Sequence, residues 1–147
     1  MENHLYNVAL TWKEGRVGVL SSPELPTKIE VATPPEFDKG VPGIWSPEHL
    51  FTASVLSCYM TTFLAISEYS KLEFSDFNCS AEGVLSQEEG KFKMTEITLK
   101  PVLVIEDEAK RDRALRVLDK AEKACLITNS INTVVHLDAT VEISSLA

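Results

Sequence analysis

At 147 residues and a formal net charge of −8, the chain has room for one domain, residues 1–147, with a sizeable core, and its negative balance argues against non-specific binding to nucleic acid. The start, MENHLYNVALTW, has no basic stretch leading into an apolar one, so no signal peptide is expected. Three cysteines without such a signal suggest a reducing compartment, where they are free, catalytic or metal-bound, and the expectation is a soluble cytoplasmic protein.

In chain order, Tyr6, Val8, Leu10 and Trp12 alternate with Asn7, Ala9, Thr11 and Lys13, the period-two pattern of a half-buried strand. Glu14-Gly15 suits a tight turn into a second strand, Arg16 to Leu20. Pro23 and Pro26 then interrupt the chain, and Lys28 to Ala32 reads as a third strand. From Thr33 to Ile44 the chain carries Pro34, Pro35, Gly40, Pro42 and Gly43, a loop composition. Ser46-Pro47 opens a helix: serine caps a free amide, proline suits the first helical position, and Glu48 falls where the helix dipole favours a carboxylate.

That helix, Ser46 to Tyr69, is apolar on nearly every face, with Leu50, Phe51, Val55, Leu56, Met60, Phe63, Leu64 and Ile66 leaving no continuous polar stripe. Such a helix is expected to be buried all round. At about 36 Å it is too long to bury inside one small domain. Thr52, Ser54, Ser57, Thr61 and Thr62 interrupt it too often for a membrane span. Two strands follow, Ser75 to Ser86 and Lys91 to Ile105, joined by QEEG, which suits a hairpin. A second helix, Asp107 to Cys125, has Leu115, Leu118, Ala121 and Cys125 on its apolar face, while Lys110, Arg111, Arg113 and Arg116 read as its wet face. Thr133, Val135, Leu137, Ala139, Val141 and Ile143 alternate along one closing strand. Three strands, a helix, two strands, a helix and a strand make an α+β protein with a largely antiparallel sheet.

Cys58 lies in the middle of the first helix. A buried free cysteine is usually packing, because burial raises the pKa of a thiol. A mid-helix position also lacks the free amides of a helix start, so a reactive Cys58 would need an imported cation. Cys125 ends the second helix, where the dipole disfavours a thiolate. It is a core residue or the resolving partner of a two-cysteine pair. Cys79, in a strand beside Phe77 and Ala81, reads as structural. No CxxC or HExxH spacing occurs, and His4, His49 and His136 fall in different elements, so no metal site is expected. A phosphate-cradling glycine loop and GxSxG are also missing from the sequence, which removes nucleotide enzymes and serine hydrolases.

The motifs WKEGRVGVLSS, SPEHLFTASVLSCYMTTFLA and KACLITNSI, with the order of strands and helices, resemble the OsmC/Ohr family of thiol-dependent hydroperoxide reductases over most of the chain. The OsmC-like branch is the nearer, since Ohr proteins typically place a proline after the second cysteine, where this chain has Leu126. The resemblance implies that Cys58 is the peroxidatic thiol and Cys125 the resolving thiol. It makes Arg16, in EGRVG, the arginine that steadies the thiolate, and Glu48, in SPEHL, its carboxylate partner. Taken without it, Arg16 reads as an exposed hairpin residue. The implied cycle passes through a Cys58 sulfenic acid and a Cys58–Cys125 disulfide, and an external dithiol, in the family often a lipoylated protein, restores both thiols. It needs no metal or flavin and acts on organic hydroperoxides.

Glu48 and Cys58, ten positions apart, are separated by about 15 Å along an ideal helix and do not share a face. The expectation is an intertwined homodimer in which Glu48 or Arg16 approaches Cys58 from the other subunit, the second subunit also covering the apolar helix. Two rival readings use the same fold: a non-catalytic protein holding a lipid-like or small organic ligand, and a thiol redox sensor.

Overall fold

The computed structural model describes residues 1–144, which divide into two compact units, Met1–Leu50 and a second that begins at Phe51. The first unit is a three-stranded antiparallel sheet in the order β1 (Ala9–Glu14), β2 (Val17–Ser22), β3 (Leu25–Ala32). Gly15, at φ 49°, takes the left-handed turn conformation that lets β1 fold back on β2. Pro26 lies inside β3 where the sequence suggested an interruption. It is tolerated because β3 is an edge strand with one ladder to satisfy.

The half-buried face expected of the first strand is not buried. Leu10 is 63% and Trp12 73% exposed, and Tyr6 and Val8 stand more open still. An edge strand in a sheet of three has no second layer of its own to bury its apolar side chains, so the alternating pattern records a face that some other surface must cover.

In the second unit, β4 (Asp76–Glu88) and β5 (Lys91–Ile105) form a long antiparallel hairpin. Glu89 (φ 51°) and Gly90 (φ 77°) make its two-residue turn, as QEEG predicts. The closing strand is broken in two, β6 (Val134–Leu137) and β7 (Thr140–Ile143), and both run parallel to β5 rather than antiparallel. Pro101 explains the break: it has no N–H, and it sits in β5 between the stretch paired with β6 and the stretch paired with β7. The fold is therefore α+β with two sheets, antiparallel except for these two short ladders.

Helix α1 (Pro47–Tyr69) starts as expected, with the His49 amide donating to Ser46 Oγ at 3.1 Å. Within the chain it buries one stripe, Val55, Tyr59, Phe63 and Ser67, every fourth residue. Met60 and Leu64 are each 41% exposed, so all-round burial is not achieved inside one chain. By length and apolar content alone α1 could cross a bilayer. Its buried stripe instead joins the core built on Ile97, Leu99, Leu103 and Leu118. Phe63 stacks on Phe77 of β4 at 4.4 Å between ring centres. At Gly83 a Cβ would collide with Thr52 Oγ1; the glycine lets helix and strand approach this closely.

The second helix begins with a short 3-10 turn, Glu108–Lys110, capped by the Asp107 carboxylate, which accepts from the Ala109 amide. Helix α2 (Arg111–Ala124) then buries Ala114, Val117, Leu118 and Ala121, while Leu115 is exposed. Of the predicted apolar face Leu118, Ala121 and Cys125 are buried, while Ala114 and Val117 take the place of Leu115. Arg111 is not merely a wet-face residue: it pairs with Glu108 at 2.7 and 3.0 Å and donates to the Val141 carbonyl at 2.7 Å, fastening α2 to β7.

Candidate active site

The buried Tyr59, next to Cys58 in α1, donates its hydroxyl to the Leu118 carbonyl of α2 at 3.0 Å. That bond holds the middle of α1 against the last turns of α2. Helix α2 ends at Ala124, and Cys125 leaves it with extended ψ. The chain then folds into a tight turn, Asn129 N–H donating to the Cys125 carbonyl at 3.0 Å and Ser130 N–H to Ile127 at 2.9 Å. The Asn129 side chain adds a bond to the Lys123 carbonyl, one of the acceptors that a helix end leaves unpaired. The result is a rigid corner that presents Cys125, Leu126 and Ile127 to α1.

Cys58 faces this corner. Its thiol is half-buried, and burial pushes its pKa up. The Ile127 amide, the Cys125 thiol, the Thr62 hydroxyl and the Leu126 amide outweigh that penalty and hold the Cys58 thiol below its ordinary range. Cys58 Sγ and Thr62 Oγ1 lie 3.9 Å apart, one helical turn apart in sequence. Cys125 is fully buried and shifts the opposite way: burial raises it, the Thr128 hydroxyl and amide oppose that rise, and the neighbouring Cys58 adds a little to it. Two neighbouring thiols are thus shifted in opposite directions, Cys58 toward greater acidity and Cys125 away from it.

Cys79, half-buried in β4, has its pKa pushed up to about 11 by burial. An unactivated, structural cysteine is what its strand position suggested.

Of the four site residues named from the sequence, the structure brings Cys58 and Cys125 together. Glu48 is half-buried in the first turn of α1, ten residues before Cys58 on the same helix. Arg16 is exposed in the β1–β2 turn of the first unit and forms no ion pair among the described residues. The cation that a reactive Cys58 was expected to import is not among the groups lowering its pKa; neutral donors do the work. Thr62, Leu126, Ile127 and Thr128 are the residues that sequence reasoning missed. Thr62 was findable, since position i+4 on a helix lies over position i. The amides were not, because a backbone N–H carries no signature in residue type. Among the described residues, no three His, Cys, Asp or Glu side chains gather in a way that could hold a metal ion.

The sequence profile of the OsmC-like protein family matches residues 40–140, and the chain belongs to that family. The match runs across the division between the two units and includes both site cysteines. The uncharacterized protein YmaD of Bacillus subtilis is 29% identical over 150 residues, covering 97% of this chain and 98% of that one. The fold is shared with an OsmC-like protein of Vibrio cholerae, at TM-score 0.83 and 23% identity over 93% of this chain and 99% of that one. It is also shared with an organic hydroperoxide resistance protein, OsmC, of Legionella pneumophila, at TM-score 0.75 and 23% identity over 96% of this chain and all of that one.

Proposed function

We propose that the protein is a cytoplasmic thiol peroxidase that reduces organic hydroperoxides. The carrying observation is the pair of contacting thiols with opposite shifts, Cys58 lowered and Cys125 raised. In the first step the Cys58 thiolate attacks one oxygen of the peroxide. The O–O bond breaks, the alkoxide leaves and takes a proton to become an alcohol, and Cys58 becomes a sulfenic acid. Cys125 then attacks the Cys58 sulfur, forming the disulfide and releasing water. An external dithiol, for which a lipoylated protein is suited, reduces the disulfide by two thiol exchanges. Family membership and the fold shared with a hydroperoxide resistance protein support the reading.

Arg16 and Glu48 complete the site in this reading, the arginine offering its fork of donors to the peroxide and the carboxylate orienting it. A homodimer brings them in. The open apolar side chains of β1 and the exposed Met60 and Leu64 of α1 are surface that a second copy would cover. Titration with one equivalent of cumene hydroperoxide, read by intact mass and peptide mapping, tests the proposal. A Cys58–Cys125 disulfide is expected, with peroxide loss abolished in Cys58→Ser. Oxidant that leaves both thiols free would sink the enzyme and favour the ligand-binding reading.

A further inference from the structure

Thr128 carries a buried hydroxyl, Oγ1, that makes no hydrogen bond. Leaving such a group unpaired costs stability, and an orphan of this kind in a folded protein calls for an explanation. Thr128 stands in the turn that follows Cys125, three residues on, and both its hydroxyl and its backbone N–H favour the charged form of the Cys125 sulfur. The bonds from Asn129 N–H to the Cys125 carbonyl and from Ser130 N–H to the Ile127 carbonyl keep the turn in this form. While Cys125 is a thiol, its sulfur lies within hydrogen-bonding reach of Cys58. A neutral thiol is a poor acceptor, so the Thr128 hydroxyl has nothing strong to bind.

We propose that Thr128 is the anion-stabilising residue of the resolving step: its hydroxyl and amide receive the negative charge that Cys125 develops as it attacks the oxidised Cys58. The inference rests on the two-cysteine peroxidase reading and assigns a residue to its second half. The Cys125 sulfur bonds to the Cys58 sulfur while the S–O bond of the sulfenic acid breaks. The Cys125 thiol proton passes to the departing hydroxide, which leaves as water. Charge on Cys125 appears only between proton loss and S–S bond formation. The unpaired hydroxyl gains its hydrogen bond in that interval, so it favours the transition state over the resting thiol.

The test uses a chain with Cys58→Ser and Cys79→Ser, in which Cys125 is the only thiol and thiolate absorbance near 240 nm reports its titration without peroxide chemistry. Adding Thr128→Val, which keeps the shape and removes the hydroxyl, is expected to move that titration to higher pH, and Thr128→Ser to restore it. In the chain with all three cysteines, Thr128→Val acts on the step that follows peroxide consumption. It should slow disulfide formation on the order of tenfold. An unmoved titration overturns the proposal whatever the peroxide data show, as does wild-type disulfide formation in Thr128→Val. A shifted titration in a protein that never forms the disulfide overturns the peroxidase reading instead, and with it the catalytic role of Thr128. A melting temperature near wild type for Thr128→Val, or rescue by Thr128→Ser, excludes misfolding as the cause.

Discussion

Cys58 and Cys79 are both half-buried thiols within regular elements, yet their acidities part in opposite directions. Around Cys79 burial dominates, a single backbone contact opposes it, and the pKa climbs to about 11. Around Cys58 the burial penalty is overcome by two amides, a hydroxyl and a second thiol. Burial alone therefore does not decide the acidity of a thiol in this protein. What decides it is whether another element brings donors that can hold the charged sulfur. The strand offers Cys79 neighbours whose amides are committed to the ladder. The turn after α2 offers Cys58 amides that no ladder uses.

The largest test of that contrast concerns the arginine. If Arg16 adds a cation to the donors already at Cys58, Arg16→Ala should slow peroxide consumption on the order of a hundredfold. An Arg16→Ala enzyme with wild-type kinetics would show that the neutral donors suffice and remove the arginine from the site. A smaller effect is expected from Leu126→Pro, which deletes one amide facing Cys58 and leaves the Ile127 amide in place. Alkylation of Cys58 by iodoacetamide at pH 7 should fall roughly fivefold, and its pH profile should move upward. A profile that stays in place would show that the Leu126 amide contributes nothing to the thiolate.

The smallest effect is on stability against pH. The folded-state pKa of Cys79 is raised, so below its ordinary value of 9.0 folded and unfolded chains both hold the proton and no pH dependence arises. As pH climbs from 9 toward 11 the unfolded chain releases the proton and the folded chain does not, so stability falls. Cys58, shifted down, works the other way: it contributes stability above 9.0 that is lost as pH falls through its folded-state value. Urea midpoints measured from pH 8 to 10 should drop less steeply in Cys79→Ala than in the wild type. Equal slopes would mean that Cys79 is more open to water than its strand position indicates.

Much of the fold is legible in the residues. Ser46-Pro47 begins a helix because a hydroxyl cap and a fixed φ are local properties, and the QEEG turn closes a hairpin for the same reason. The closing strand was misread as one because its alternation is unbroken; the break comes from Pro101 on a neighbouring strand. Leu115 was placed on the buried face of α2 because a helical pattern defines a stripe only to within one residue, and the partner surface selects Ala114 and Val117 instead. Likewise the exposed Leu10 and Trp12 follow from the absence of a covering layer on an edge strand, which no alternation pattern can report.

By itself the sequence determined which chemistry was available: two thiols near helical positions, an arginine in a hairpin, a glutamate in a first turn, and the order of elements that holds them. These are properties of side chains and of local backbone preference, and they are written residue by residue. The tertiary structure alone decided how the thiols differ in acidity. Acidity depends on which dipoles surround a sulfur, and here those dipoles are backbone amides and hydroxyls brought from one helix end to the middle of another.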